Sequence, residues 1–428
     1  MDWASSGAAR AGFRAAGSSR LRIIVLGYLM RFPLGGMAWH YLQYVLGLLR
    51  MGADAYYFED SHDFPSCYDP VRNVTDTDPT YGLLFAERTF ERVGLDDRWA
   101  YYDAHTARWF GPCADRREDL FRTADLLLNV SGLNPIRPWL ENIPVRVFVD
   151  SDPAFTQIRH LTYAPAQYRA RQHTAFFSWA ENIEAGRSRV PDDGFPWQAT
   201  RQPIVLDLWP LTIGPAHRKF TTVMQWESYR PMEYGGVQYG MKSDAFWPYV
   251  ELPAQVGRVF ELAVGGPTVP RALLRRKGWA LRDSRIPSRD PWTYRRYIQG
   301  SKAEFGPAKL GYVVSHSGFF AERTAAYLAS GRPVVVQDTG FSDFLPSDSG
   351  LLPFTTPDEA LDRIEQVCSR YAYHCTEARA VAEEYFDATK VLRHLVERAM
   401  APSSARAGQA ASRASGSRTG GTPDSRPG

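Results

Sequence analysis

Cysteine is scarce. The 428-residue chain has four, Cys67, Cys113, Cys368 and Cys375, and none forms a CxxC pair. That excludes a disulfide-framed secreted scaffold and points to a reducing cytoplasm. Long apolar runs are missing too. Nothing approaches the roughly 18 consecutive apolar residues of a spanning helix, and the Ala/Ser/Gly/Arg-rich opening lacks the apolar segment of a secretory signal. No HExxH, GxxxxGK(S/T) or GxSxG string occurs, and no GxGxxG follows the first apolar run. The usual signatures of zinc proteases, P-loop NTPases, serine hydrolases and dinucleotide oxidoreductases are therefore absent. The nine histidines are scattered, so neither a metal nor a tightly bound cofactor is expected.

Excess charge of one sign is also small, +3 overall. Residues 1–20 carry +2 and residues 401–428 carry +3, which leaves −2 on the 380 residues between them. Both tails contain too little apolar material to offset chain entropy and read as disordered. The body offers no broad basic face, so no nucleic-acid partner is expected.

What is present is α/β alternation. Leu21–Gly27 is a short, β-branched apolar run of the kind that forms a buried parallel strand. A loop with Pro33, Gly35 and Gly36 follows, then a helix over Met37–Met51 closed by Gly52, then a strand over Ala53–Glu59. Further strands are expected at Leu126–Val130, Val145–Val149 and Ala175–Trp179, and residues 61–80 read as an irregular excursion. Around Gly186–Pro203 the pattern lapses into linker chemistry. A second cycle comprises strands at Phe220–Gln225, Val259–Val264, Leu310–Val314, Pro333–Gln337 and Leu351–Phe354. Its helices are expected at Ser243–Leu252, Pro270–Lys277 and Phe319–Ser330, with three closing helices at Pro357–Tyr371, Glu377–Tyr385 and Thr389–Met400. The fold class expected is α/β, with two Rossmann-like doubly wound domains facing across a cleft. Their limits are residues 21–203 and 204–385, and residues 386–400 form a terminal helix.

The most informative segment is the run Gly311–Gly340, which reads as strand, Ser/Gly turn, helix, strand and glycine turn. Within it, Ala325 to Gly331, then Arg332-Pro333-Val334-Val335-Val336, Thr339-Gly340 and, beyond it, Ser349-Gly350-Leu351-Leu352 resemble the donor-domain signature of GT-B-fold glycosyltransferases that use sugar nucleotides. The likeness is closest to the family-4-like group, whose pattern is a helix ending in EAMAxGxPVV, a glycine turn and GLL. More loosely it extends over the strand Thr221–Trp226, the turn containing Lys242, and the Gly35-Gly36 loop. The resemblance implies a nucleotide diphosphate sugar as donor, with a small molecule or glycan as acceptor, and a last helix that crosses back onto the N-terminal domain. It also marks a departure, because the family's two glutamates eight residues apart fall here on Gly318 and Ala326. Glu322, midway between them, is expected to stand in with Arg323 and Thr324. The missing pair leaves inversion and retention both open, and keeps a catalytically inactive binding protein and a sugar-nucleotide epimerase as alternatives.

Glycosyl transfer builds negative charge on the departing diphosphate, so cations or oriented N–H groups are needed there. Lys242, in a turn opening a helix where the family places a diphosphate-binding lysine, is the first candidate and Arg323 the second. The Ser315–Gly318 turn, with Ser317 and Gly318, is expected to admit an anion at a helix N-terminus. Asp338, Thr339 and Gly340 are expected to face the sugar. On the acceptor side a base is needed for an inverting mechanism. Asp152, at the end of an apolar strand, and Glu181 are candidates, and His40, behind Gly35-Gly36, is a third as a cleft-lining histidine.

Overall fold

The computed structural model describes residues 20–401 apart from 213 and 215–217. The tails read as disordered therefore lie, but for Arg20 and Ala401, outside the described residues.

Two parallel sheets organise the chain. The first runs Trp197–Ala199, Ala175–Ser178, Val145–Asp150, Leu126–Val130, Arg22–Leu26, Asp54–Asp60, Trp99–Asp103 and Arg108–Phe110, with only the last strand antiparallel. The second runs Ala280–Asp283, Phe260–Gly265, Phe220–Gln225, Ala303–Gly306, Val334–Gln337 and Leu351–Phe354, parallel throughout. Such sheets are covered on both faces, which is why Ile23, Ile24 and Val25 in one and Val334 and Val335 in the other are almost completely buried. Strand order reverses between Arg22–Leu26 and Leu126–Val130 in the first sheet, and between Phe220–Gln225 and Ala303–Gly306 in the second. At such reversals adjacent loops leave in opposite directions and open a crevice at the strands' carboxyl ends.

The helix Gly35–Arg50 couples the halves. It is apolar on nearly every side and buried along most of its length, because it lies between two other helices. Trp39 donates its indole N–H to the Pro291 carbonyl at 2.7 Å, at the head of the helix Pro291–Gly300. On the other flank Gly47 admits Leu392 and Ala388 of the closing helix Ala388–Met400 so closely that a Cβ would collide with both. That helix also pairs Arg398 with Glu184 of the first half at 2.7 Å.

Several sequence expectations need correction. Leu310–Val314 is a helix, not a strand. The strand beside Phe220–Gln225 is Ala303–Gly306, whose apolar signal is broken by the buried Glu304. The helix expected over Ser243–Leu252 is three short pieces, Lys242–Phe246, Trp247–Tyr249 and Leu252–Val256. Pro248 and Pro253 each remove a backbone donor, so a continuous helix is not sustained. The segment 61–80, read as irregular, contains a small hairpin of Cys67–Asp69 with Val74–Asp76. The donor-side helix is shorter than expected, Glu322–Ala329.

Candidate functional site

Two adjoining cavities occupy the crevice between the sheets. The first, about 310 Å³, is lined by the carboxyl ends of the second sheet's central strands (Val223–Gln225 and Gly306–Lys309) and by the start of the helix Glu322–Ala329. Gly36, Met37 and His40 of the first half close it. The second, about 1020 Å³, opens at the first sheet's reversal, with Tyr28, Ser131 and Ser151 in its wall. Met37, Tyr68, Gln225, Lys309 and Tyr312 line both, so the two form one cleft.

The first cavity holds an uncompensated cation. Lys242 opens the helix Lys242–Phe246 and lines the cavity, and among the described residues no carboxylate lies within ion-pair distance of its ammonium. Burial pushes its pKa well below the ordinary lysine value, and the Arg323 and Lys309 charges push the same way, while Glu304 opposes them. Arg323 is differently placed. Its guanidinium is tied to Glu304 at 2.6 Å and to the Val223 carbonyl at 2.8 Å, so its charge is already met. Beside it Glu322 is raised to about 8, burial being the main cause, with Arg323 opposing and Glu304 reinforcing. Burial therefore favours the protonated form of Glu322, and its Oε1 has no hydrogen-bond partner. His40 stacks among Tyr41, Tyr44 and Trp179. Burial lowers it to about 3 and leaves its Nε2 unpartnered. It is a neutral imidazole, suited to a hydrogen bond and too weakly basic to take a proton.

Asp152 sits where the halves meet, and four donors converge on it. Lys309 and Tyr312 donate to Oδ1 at 2.8 and 2.6 Å, and Tyr229 and Arg159 to Oδ2 at 2.5 and 3.2 Å. Burial works to raise this carboxyl, but the Lys309 and Arg159 charges and the hydrogen bonds outweigh it and hold it at about 2. A carboxylate so stabilised is an anchor rather than a proton acceptor.

The other residues singled out in the sequence divide between cleft and framework. Thr324, Thr339 and Gly36 line the first cavity. Gly35 does not, because its Cα faces the Asp290 carbonyl so closely that a Cβ would lie 2.3 Å from it. Ser317 and Gly318 are sealed against Asn182, whose backbone N–H donates to the Ser317 carbonyl at 3.3 Å, while the Gly318 N–H is taken by the Thr339 carbonyl at 2.8 Å. That turn follows a helix rather than a strand and has no N–H group left for an anion in the cavity. Asp338 caps its own turn by accepting from the Gly340 N–H at 2.8 Å, and Gly340 packs on Asn182 and His316. Glu181 is held by Arg201 at 2.9 Å, away from both cavities.

Sequence reasoning did not find Lys309, Tyr229, Tyr312, Glu304 or Glu59. The Glu59 carboxylate accepts the backbone N–H groups of Met30 and Arg31 at 2.9 and 2.6 Å and the Tyr57 hydroxyl at 2.6 Å, which fixes the loop carrying Tyr28, Arg31 and Phe32. Only its acidic side chain at the end of an apolar strand could have signalled it. Among the described residues no group of three or more His, Cys, Asp or Glu is placed to hold a metal ion. No helix among them is long and apolar enough to cross a membrane.

No protein-family model matches the chain, and no curated protein matches it. Solved structures do. An α-glucosyltransferase in complex with UDP aligns with a TM-score of 0.55 at 10% identity, over 89% of this chain and 100% of the other. The α-glucosyltransferase in complex with UDP and a 13-mer DNA gives 0.54 at 10% identity, over 90% and 100%. HepE of Anabaena, in complex with UDP and glucose, gives 0.50 at 10% identity, over 89% and 99%. With its two reversing parallel sheets and the cleft between their carboxyl ends, the chain has the GT-B fold of nucleotide-sugar glycosyltransferases.

Proposed function

We propose that this chain transfers a hexosyl group from a uridine diphosphate sugar, held in the first cavity, to an acceptor hydroxyl presented from the second. The observation that carries the reading is Lys242, a desolvated ammonium without a carboxylate partner in a cavity at the strand-order reversal. Such a charge is costly unless an anion completes it. A diphosphate supplies that anion: the acceptor oxygen bonds to C1 as the bond from C1 to the UDP oxygen breaks, the electron pair leaves with that oxygen towards Lys242, and the acceptor's proton passes to the departing phosphate or to solvent. Glu322 and the free Nε2 of His40 supply hydrogen bonds for ribose or sugar hydroxyls. UDP is the nucleotide in the structural relatives.

A thermal-shift screen across UDP-, GDP-, dTDP- and ADP-sugars, followed by donor-hydrolysis assays, tests this. A ligand bound only by the native state raises its melting temperature, so UDP-sugars should shift it most and be slowly hydrolysed. Absence of both effects for every nucleotide rejects the transferase reading.

The raised pKa of Glu322 gives a second expectation. Between its ordinary value of 4.5 and about 8 the folded state binds a proton that the unfolded state has released, so this group lowers stability as pH rises through that window. The Glu322→Gln variant removes the effect. It should match the parent near pH 4.5 and exceed it by up to about 5 kcal/mol above pH 8, measured by urea unfolding across pH. A constant difference would place Glu322 in water rather than in the cavity wall.

A further inference from the structure

The second cavity has a charge balance opposite to that of the body of the protein. Five cations line it against three carboxylates, whereas the body of the protein is −2. Three of the cations are neutralised locally: Arg159 and Lys309 share Asp152, and Arg285 pairs with Asp283 at 2.6 Å. Two are not. Arg31 is 7% exposed, donates to the Ser66 hydroxyl at 3.0 Å and to the Asp60 carbonyl at 3.5 Å, and has no carboxylate within ion-pair distance among the described residues. Arg271 makes only long contacts, 3.4 to 3.5 Å, to the Val264 and Gly266 carbonyls. A nearly buried guanidinium bonded to neutral oxygens alone keeps its full charge and lacks water to screen it, so it favours an anionic ligand.

The same wall carries rings. Phe32 lies over Tyr68 with centroids 5.0 Å apart and planes at 21°, and both line the cavity. Phe32 is 36% exposed and its neighbour in the lining, Phe64, 52% exposed. Exposed aromatic faces at a cavity wall suit a sugar or aryl ring, and the loop that bears Arg31 and Phe32 is held rigid by Glu59. Charge and ring surface thus come from consecutive residues on one fixed loop.

We propose that the acceptor is a small ring compound, a sugar or aryl glycoside, bearing a phosphate or carboxylate that Arg31 and Arg271 receive while its ring lies on the exposed face of Phe32, which Tyr68 backs. This rests on the transferase reading and adds the chemical class of the second substrate.

The test is isothermal titration of three probes, phenyl β-glucoside 6-phosphate, phenyl β-glucuronide and neutral phenyl β-glucoside, with and without saturating UDP. Either charged probe should bind about tenfold or more tightly than the neutral one, and the better of the two separates phosphate from carboxylate. In Arg271→Gln, whose side chain leaves only weak backbone contacts behind, that advantage should collapse while UDP affinity stays unchanged. The advantage should also shrink in parent protein as salt is raised, which reads the charge without any substitution. Equal binding of the three probes, no binding of any, or an advantage that survives both Arg271→Gln and high salt overturns the proposal. The UDP arm separates the two readings: loss of UDP binding with the anion preference intact overturns the donor assignment alone, and UDP binding without the preference overturns this one alone.

Discussion

Replacing Lys242 by methionine should weaken UDP binding by about two orders of magnitude and, in the same protein, raise the melting temperature. The two effects have opposite signs because the ammonium is misplaced in the free protein and needed in the complex. In the free state it sits buried beside Arg323 and Lys309 without a carboxylate partner, a desolvation cost that an apolar side chain of similar length avoids. Relief of about 1 kcal/mol corresponds to roughly 1–2 °C in a chain of this size. In the complex a charge-assisted contact to the diphosphate is lost, and about 2.7 kcal/mol is a hundredfold in dissociation constant. A solvated surface lysine would do neither. The depressed pKa adds a signature that mutation alone does not give: an incoming diphosphate restores the ammonium's charge, so UDP binding should take up protons at alkaline pH and weaken as pH rises. Titrations in two buffers of different ionisation enthalpy measure that uptake, and Lys242→Met should abolish it.

How far the sequence foretold this site depends on whether the relevant partners are near in the chain. Lys242, Glu322 and Thr324 were picked out by their positions relative to the donor-domain signature the sequence resembles, and His40 by its place behind Gly35-Gly36, and the structure brings all four to one cavity. Asp152 was readable as a strand-end carboxylate, but its environment was not, because Tyr229, Lys309 and Tyr312 lie 77, 157 and 160 positions further along. The strand Ala303–Gly306 escaped for a related reason. Its Glu304 is fully buried only because Arg323, 19 residues on, neutralises it, so local hydropathy pointed instead to the apolar run at Leu310–Val314. Ser317 and Gly318 illustrate the reverse error: a Ser/Gly turn before a helix is an anion site only while its N–H groups are free, and here the Gly318 N–H is consumed by the Thr339 carbonyl and the turn packs on Asn182. The two reversing sheets were legible because alternating strands and helices of this length allow few other arrangements.

Asp152→Asn should be the most destabilising single substitution in the cleft, costing about 3–5 kcal/mol. The carboxylate is the common acceptor for a lysine, an arginine and two tyrosines, and it joins the end of the strand Val145–Asp150 to groups carried by the second half. An amide keeps the shape but leaves Lys309 and Arg159 facing each other without a counter-charge. Removing the cation as well, in Asp152→Asn with Lys309→Met, should recover part of the loss, and the non-additivity of that cycle measures the coupling across the cleft. Acid reports the same link. Because the folded carboxyl lies near 2, below its ordinary 3.8, its contribution is complete above about pH 4 and is lost as pH falls through 2. Parent protein should therefore lose stability over that window more steeply than Asp152→Asn, as followed by urea midpoints. The cluster also limits how the cleft works: Lys309 borders both cavities, so a donor diphosphate that draws Lys309 towards Lys242 must loosen the contact to Asp152. Asp152→Asn, once stabilised enough to assay, should consequently bind UDP more tightly than the parent while opening the two halves, seen as an increased radius of gyration in solution scattering. Unchanged affinity and unchanged dimensions would reduce Asp152 to a local ion pair with no part in joining the halves.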